Sequence, residues 1–328
     1  MARAMVVNPV ARIAALARKP HPFIASPEDI YPDWKNSSGI DLSNQHVFDD
    51  LKVKMDKIAA NKWSVGSIVN GKAHIDANAV AVFSPSNATE MIGHVSKADE
   101  ALTETALDVA DKATKTWSNM SVEDRAQILE RAADLFQAEM PTLITILTQE
   151  GGKCIFDCIS EVRETIDFCR YYAYRAREDL KTTTLPGPTG EVNTLTLHPR
   201  GIIACISPWN FPLAIFSGQI LAALVTGNTV IAKPAEQTPM IAFKAIEIMH
   251  AAGVPVDALQ LLIGPGRVVG AKLVNDPRIA GVMFTGSTET AKFIEQSLAQ
   301  RPGPIGMFIA ETGGQNAMIV DATALPEQ

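Results

Sequence analysis

Two turns of the sequence carry residues suited to holding a phosphorylated ligand. Gly286 and Ser287 stand between an apolar segment and a helical pattern. Their backbone amides and hydroxyl can face a phosphate at a helix N-terminus, and this role is compatible with Ser287 being an ordinary helix N-cap. The segment at residues 264–270 reads GxGxxxG, one residue longer than the dinucleotide-binding fingerprint. Because glycines are common at strand–helix turns, this second signal is weak on its own.

Four further polar side chains follow apolar segments. Lys233 and Glu236 close one such segment, at the place where open α/β sheets bind ligands; two solvated surface charges are the alternative. Asn210 lies in a proline-flanked turn, where it is alternatively a simple turn former. Glu311 precedes two glycines after an apolar run, and a surface carboxylate at a turn is the alternative there.

The four cysteines predict neither a metal site nor a disulfide framework. They stand at positions 154, 158, 169 and 205, without a CxxC pair or a neighbouring histidine. Free cysteine behaves as a small hydrophobic residue, so we expect structural thiols, in keeping with a reducing cytosol. No metal site is expected.

These residues must be positioned by the elements of the C-terminal half, where short apolar runs alternate with helical patterns. Fully apolar strands separated by amphipathic helices predict a parallel sheet covered on both faces, the Rossmann-like α/β class. The predicted strands are residues 202–206, 229–232, 259–263, 281–284 and 316–320. The predicted helices are residues 216–225, 239–252, 266–274 and 288–299.

The N-terminal half has a different pattern. Residues 1–60 predict an extended arm or linker with a short helix near 47–60. Apolar residues at i, i+3 and i+4 then predict helices, with Ser121 and Asp124 forming a cap before the second. After a loop at 181–190, alternating residues at 191–197 predict a strand. The four helices are predicted at residues 97–117, 122–138, 141–150 and 155–180.

Composition bounds the class of protein. The 328 residues are 47% hydrophobic and 20% charged, values typical of a globular protein, and the net charge of −7 gives no footprint for nucleic acid. No run of about 18 apolar residues predicts a membrane span. We expect a cytoplasmic protein. Basic residues around short apolar pieces in residues 1–23 leave a mitochondrial presequence as the alternative.

Four motifs, taken in order, resemble the NAD(P)-dependent aldehyde dehydrogenase superfamily. They are SPWNFP at 207–212, GNTVIAKPAE at 227–236, FTGSTE at 284–289 and ETGG at 311–314. The resemblance implies that NAD is the cofactor. It implies that Asn210 donates to the developing oxyanion and that Glu311 activates the water that hydrolyses a thioester. The cofactor-contacting positions it implies are Ser207, Pro208, Trp209, Lys233, Glu236, Gly266, Phe284, Gly286, Ser287 and Gly313.

Within that cofactor set, the resemblance places Lys233 and Glu236 at the adenosine ribose. A carboxylate there accepts a hydrogen bond from the 2′-hydroxyl and repels a 2′-phosphate, which favours NAD over NADP.

Three further stretches narrow the resemblance to the L-glutamate γ-semialdehyde (1-pyrroline-5-carboxylate) dehydrogenases, including the dehydrogenase module of bacterial bifunctional proline-utilisation proteins. They are residues 161–173, 198–201 and 310–321. This resemblance implies a small aldehyde substrate, a site shaped by Glu164 and Phe211, and an oligomerisation strand near 191–197. It also implies that the parent is a homo-oligomer fused to a proline dehydrogenase module.

One departure from the family pattern concerns the nucleophile. The family uses a cysteine after the ETGG motif, and no residue after Glu311 in this sequence is cysteine. We therefore expect an NAD-binding domain at 61–310, the start of a truncated catalytic domain at 311–328, and an inactive fragment. The alternatives are a non-catalytic dinucleotide-binding remnant and an aldehyde dehydrogenase for another aldehyde.

Overall fold

The computed structural model describes residues 8, 10, 11, 23–25, 29–314, 317–321 and 323. Most of residues 1–23, on which the presequence alternative depends, lies outside the described residues. The helices are α1 (Gln45–Ala59), α2 (Glu100–Ser118), α3 (Val122–Ala138), α4 (Met140–Gly151), α5 (Ile155–Asp179), α6 (Ala214–Val225), α7 (Pro239–Ala251), α8 (Ala271–Asn275) and α9 (Thr288–Gln300).

The strands belong to three sheets. They are β1 (Trp63–Val65), β2 (Ser67–Val69), β3 (Lys72–His74), β4 (Val80–Ser84), β5 (Asn87–Val95), β6 (Thr183–Leu185), β7 (Asn193–Leu195), β8 (Ile202–Ile206), β9 (Thr229–Lys233), β10 (Leu259–Leu261), β11 (Ile279–Thr285) and β12 (Met307–Glu311). The main sheet has seven strands in the order β12-β11-β8-β9-β10-β2-β3. Its first five strands run parallel, and β2 and β3 extend it antiparallel.

The parallel sheet is covered by helices on both faces, which confirms the Rossmann-like α/β prediction. Because successive strand residues point to opposite faces, Ile203 and Cys205 of β8 join one core while Ile202 and Ala204 join the other. The first core packs under α6 and α7, with α3, α4 and α5 as a further layer. The second core lies under α2, α8 and α9.

The predicted helices form close to their expected bounds. Helix α3 matches its prediction, and Ser121 caps it: the hydroxyl accepts from the Asp124 amide at 3.0 Å and donates to its carboxylate at 2.6 Å. The helix expected at 266–274 begins instead with a single π turn, Gly266–Gly270, and continues as α8. Since short helical segments differ by only one hydrogen-bonding step, periodicity did not separate the two forms.

The last strand was predicted in the wrong place. It was expected at 316–320, but the described residues 317–320 form no strand and are exposed. The sheet instead adds β12, which pairs in parallel with β11 from Gly281 and Met307 through to Thr285 and Glu311. Both segments are apolar runs of strand length, so the choice between them was made by pairing with β11.

Two further strands were missed by the sequence analysis. The expected loop at 181–190 contains β6, which pairs with β7 as an antiparallel hairpin, so the predicted strand at 191–197 is shorter than expected. Residues 63–95 form β1 to β5, of which β1, β5 and β4 make a separate three-stranded sheet. Among the described residues, no helix combines the length and apolar character that crossing a membrane requires.

Candidate active site

A cavity of about 930 Å³ lies at the carboxyl edge of the sheet, between β8 and β11. The chain leaves β8 toward β9 on one side and later returns to place β11 on the other side. Ligands of open α/β sheets bind at such a reversal of strand order, because the loops diverge there and leave a crevice. Nine of the predicted site residues line the cavity: Ser207, Pro208, Trp209, Asn210, Phe284, Gly286, Ser287, Glu311 and Gly313.

Strand register brings the motifs together. Ile206 of β8 stands opposite Lys233 of β9 and Phe284 of β11, and Thr285 stands opposite Glu311 of β12. Two backbone bonds beyond the strand ends hold the loops: the Ser207 amide donates to the Lys233 carbonyl at 3.2 Å, and the Gly286 amide to the Glu311 carbonyl at 3.0 Å. Motifs that are up to about a hundred residues apart in sequence therefore end at one edge.

The two predicted catalytic side chains lie in this cavity. Asn210 is exposed in the turn after β8, and Glu311 is the exposed last residue of β12. Each comes from the end of a different parallel strand, so an amide donor and a carboxylate base border the same space. This arrangement can stabilise a developing oxyanion and activate a water molecule.

The turn that carries Asn210 is held by a buried ion pair that the sequence analysis missed. Glu161 of α5 is 1% exposed, and one of its oxygens accepts from the amides of Leu213 at 2.7 Å and Ala214 at 3.2 Å, at the start of α6. Its other oxygen pairs with Lys153, whose ammonium also donates to the Asn210 carbonyl at 3.0 Å. A carboxylate at a buried position of a helix was the available signal, since such groups are almost always paired.

Ser287 and Gly286 occupy the phosphate-binding position that was expected. Ser287 caps α9, its hydroxyl accepting from the Thr290 amide at 3.2 Å. Gly286 lies against Phe284: a Cβ at this glycine would come within 2.6 Å of the Phe284 ring. The cap and the close approach together present the N-terminal amides of α9 to the cavity, where a helix end favours an anion.

Lys233 and Glu236 differ from each other in burial. Lys233 is 5% exposed and donates to the Pro234 carbonyl at 3.1 Å, so the alternative of a solvated surface charge is wrong for this residue. Burial lowers the pKa of Lys233, and the nearby Glu236 opposes that shift. Glu236 is partly exposed and accepts from the Gly266 amide at 3.2 Å, which joins the weak GxGxxxG signal to this position.

A second buried carboxylate fixes the helix that follows this loop. Glu150 of α4 is 5% exposed and accepts from the first amides of α7, those of Met240 at 2.7 Å and Ile241 at 3.0 Å. Burial raises the pKa of Glu150 to about 8, although the two hydrogen bonds act in the opposite direction. Helices α6 and α7, which follow the Asn210 and Glu236 loops, are thus each capped by a glutamate from the outer helical layer.

The predicted substrate residues do not line the main cavity. Phe211 is 41% exposed beside it, with the Lys153 ammonium 4.3 Å above its ring. Glu164 lines a neighbouring cavity of about 550 Å³, and Phe168 borders both spaces. Burial, followed by the charge of Glu161, raises the pKa of Glu164.

The main cavity has features that fit a dinucleotide. Two polar atoms that border it, Ser207 Oγ and Gln219 Oε1, are buried without a hydrogen-bond partner, which points to a polar ligand, because buried polar groups are rarely left unpaired. Aromatic walls and the N-terminus of α9 add surfaces for a ring and for a phosphate. The described cysteines do not line the cavity: Cys158, Cys169 and Cys205 are buried in the core, and Cys154 is exposed elsewhere.

Comparisons with known proteins agree with this site. The model of the aldehyde dehydrogenase family matches residues 73–327. The chain is 43% identical, over 99% of its length, to the bifunctional protein PutA of Klebsiella aerogenes. It is 36% identical, over 86% of its length, to a 1-pyrroline-5-carboxylate dehydrogenase of Geobacillus. A solved 1-pyrroline-5-carboxylate dehydrogenase from Thermus with bound NAD superimposes with a TM-score of 0.82 at 33% identity, over 87% of the chain.

The chain spans only part of these relatives. It covers 24% of the Klebsiella aerogenes protein, 55% of the Geobacillus protein and 56% of the Thermus chain. The family match nevertheless extends over most of the residues given, and it contains the strands, motifs and cavity described above. The chain belongs to the aldehyde dehydrogenase family.

Proposed function

We propose that this chain supplies the NAD-binding domain and two catalytic residues of an L-glutamate γ-semialdehyde dehydrogenase, which acts in the degradation of proline to glutamate. The observation that carries the proposal is the convergence of Asn210, Glu311 and the Gly286–Ser287 turn on one cavity. The names of the relatives, bifunctional PutA and 1-pyrroline-5-carboxylate dehydrogenase, support the substrate.

In this proposal the cofactor site is built from the loops at the sheet edge. Bound NAD would supply a hydride acceptor. The amides at the start of α9 bind its pyrophosphate, Lys233 and Glu236 bind the adenosine ribose, and Trp209 packs against it. The unpaired Ser207 hydroxyl gains a partner when the cavity is filled.

Asn210 and Glu311 divide the acyl chemistry between them. The Asn210 amide donates to the oxygen of the aldehyde as negative charge develops on it. Glu311 removes a proton from the water that releases the acid product. Lys153 and Glu161 keep the Asn210 turn in place, and Phe211 and Glu164 contribute to the substrate side.

The nucleophile is outside this sequence. No cysteine follows Glu311, and three of the four thiols present are buried in the core. We therefore propose that residues 61–310 are an NAD-binding domain, that residues 311–328 begin a catalytic domain, and that the 328-residue chain alone does not oxidise aldehydes.

The experiment compares two proteins for NADH formation from glutamate semialdehyde. One is the purified 328-residue chain. The other is this chain joined to the part of the Klebsiella aerogenes relative that follows the matched region. We expect no turnover by the chain above a heat-denatured control, and turnover by the joined protein that falls about 10²–10³-fold in Asn210→Ala. Turnover by the chain alone, or a joined protein that prefers simple aliphatic aldehydes, would contradict the proposal.

A titration tests the cofactor on the chain itself. We expect NAD to bind more tightly than NADP, because the Glu236 carboxylate repels a 2′-phosphate. Glu236→Ala should narrow that difference. Equal affinities of the unaltered chain for the two cofactors would show that Glu236 does not select between them.

A further inference from the structure

The ribose end of the proposed cofactor site contains a second charge that the motifs do not include. Lys97 stands two residues after β5, and its ammonium lies 3.8 Å from the Glu236 carboxylate. The side chains of Lys97 and Glu236 are 45% and 42% exposed. An ion pair this open contributes little to the stability of the fold, so its effect falls on the charge that a ligand meets there.

Backbone contacts hold the Lys97 segment against the cofactor loops. On one side of Lys97 the Ser96 amide donates to the Val65 carbonyl at 2.9 Å; on the other side the Ala98 amide donates to the Ile263 carbonyl at 2.7 Å. The approach is so close that a Cβ on Gly264 would lie 3.1 Å from the Ala98 carbonyl oxygen. The position of Lys97 beside Glu236 is therefore set by β-structure and by the first glycine of the GxGxxxG segment.

The carboxylate of Glu236 is already engaged on both oxygens. One oxygen accepts from the Gly266 amide at 3.2 Å, and the other faces Lys97. A carboxylate with a hydrogen-bond donor and a cation beside it repels a phosphate less strongly than an isolated one, since the three charges interact together. The other cation nearby, Lys233, is buried and directed to the Pro234 carbonyl.

We infer that Lys97 is a selectivity residue of the cofactor site, where its exposed ammonium opposite Glu236 binds the 2′-phosphate of NADP and reduces the preference for NAD. The inference rests on the proposed dinucleotide function and adds to it. The chain binds both cofactors, NAD more tightly, and the size of the difference depends on Lys97. Charge-assisted hydrogen bonds to a phosphate are stronger than neutral ones, so the effect is about tenfold.

The test measures dissociation constants for NAD and NADP by calorimetry on the 328-residue chain, on Lys97→Met and on Lys112→Met. Lys112 is an exposed lysine of α2 away from the cavity, so its variant controls for the loss of one positive charge. We expect Lys97→Met to raise the ratio of the NADP to the NAD constant about tenfold. We expect Lys112→Met to leave that ratio within about twofold. An equal ratio in the two variants would overturn the inference.

Two further measurements separate the possible failures. Raising the salt concentration should weaken NADP binding more in the unaltered chain than in Lys97→Met, because salt screens an exposed charge contact. The fragment adenosine 2′,5′-bisphosphate should bind more tightly than adenosine 5′-monophosphate, and this advantage should shrink in Lys97→Met. NAD binding with an unchanged NADP ratio overturns the role of Lys97 alone. A chain that binds neither dinucleotide nor fragment overturns the proposed cofactor site together with it.

Discussion

At the scale of single residues, the candidate site depends on a lysine that contacts three different groups. Lys153 pairs with the buried Glu161, donates to the Asn210 carbonyl and lies over the Phe211 ring. It stands just after Gly152, whose φ of 64° ends α4 in the left-handed conformation that glycine adopts freely. Removing this cation leaves a fully buried carboxylate with only its backbone donors.

Lys153→Met should therefore destabilise the chain by about 3 kcal/mol, the cost of breaking a buried ion pair while the carboxylate remains. Methionine keeps the apolar stem of the side chain, so the loss reports mainly on charge. Lys181→Met is the matched control, because Lys181 forms an exposed pair with Glu178 and should cost less than about 1 kcal/mol. Urea unfolding followed by circular dichroism gives both values, and equal costs would contradict the role assigned to Lys153.

The thiols offer a second test at this scale. Burial raises the pKa of Cys158 to about 11 and moves the pKa of Cys169 and Cys205 further in the same direction. Because the thiolate is the reactive form, these three should stay unmodified at pH 8 in the folded chain. Iodoacetamide labelling and peptide mass spectrometry should find modification at the exposed Cys154 alone. Rapid labelling of Cys205 would show that the strand next to the cavity is open.

At the scale of elements, the start of a helix is where the outer helical layer determines the site. Glu150 caps α7 with both carboxylate oxygens, directly after the loop that carries Lys233 and Glu236. Its pKa of about 8 exceeds the ordinary value of 4.5, so the folded state retains a proton that the unfolded state has released. Stability from this group is thus lost as the pH rises from about 4.5 to about 8.

The free energy of unfolding should accordingly fall across that range, with up to about 1.4 kcal/mol per pH unit from Glu150. Glu150→Gln cannot ionise, so it should be less stable than the unaltered chain at pH 5 but lose less stability by pH 8. Glu247→Gln, at an exposed position of the same helix, controls for the loss of one carboxylate. Parallel slopes for Glu150→Gln and the unaltered chain would exclude Glu150 as the titrating group.

At the scale of the whole molecule, apolar side chains remain exposed on the β6–β7 hairpin. Val192 is 86% exposed and Leu195 is 53% exposed, and both belong to a two-stranded sheet with open edges. Strand edges and apolar patches of this kind favour association. The outer strand β12 adds a further exposed residue, Ile309.

We expect the purified chain to associate in a concentration-dependent manner, as measured by size-exclusion chromatography with light scattering. The double variant Val192→Ser with Leu195→Ser should shift the mass toward the monomer, because it removes apolar surface from the hairpin. Val53→Ser removes an equally exposed hydrophobic residue from α1 and should leave the mass unchanged. A monodisperse monomer of the unaltered chain would show that the hairpin is not an association surface.

Local sequence patterns were sufficient to predict the helices, most of the parallel strands and the motifs that meet at the cavity. The apolar run of β8 and the periodicity of α3 lie within neighbouring residues, so they are readable before folding. The same holds for the turn residues Asn210 and Ser287, whose places follow directly from the strands that precede them. The sequence by itself thus determined the class of the sheet and which side chains reach its carboxyl edge.

The tertiary structure decided which apolar run became the last strand and which charges meet. The position of β12 depends on pairing with β11, and the burial of Lys233 depends on the helices packed around it. The contacts of Lys153 with Asn210 and of Lys97 with Glu236 join residues far apart in sequence, and neither partner's local pattern identifies the other. Such contacts form because packing brings distant segments together, and long-range packing leaves no periodic signal along the chain.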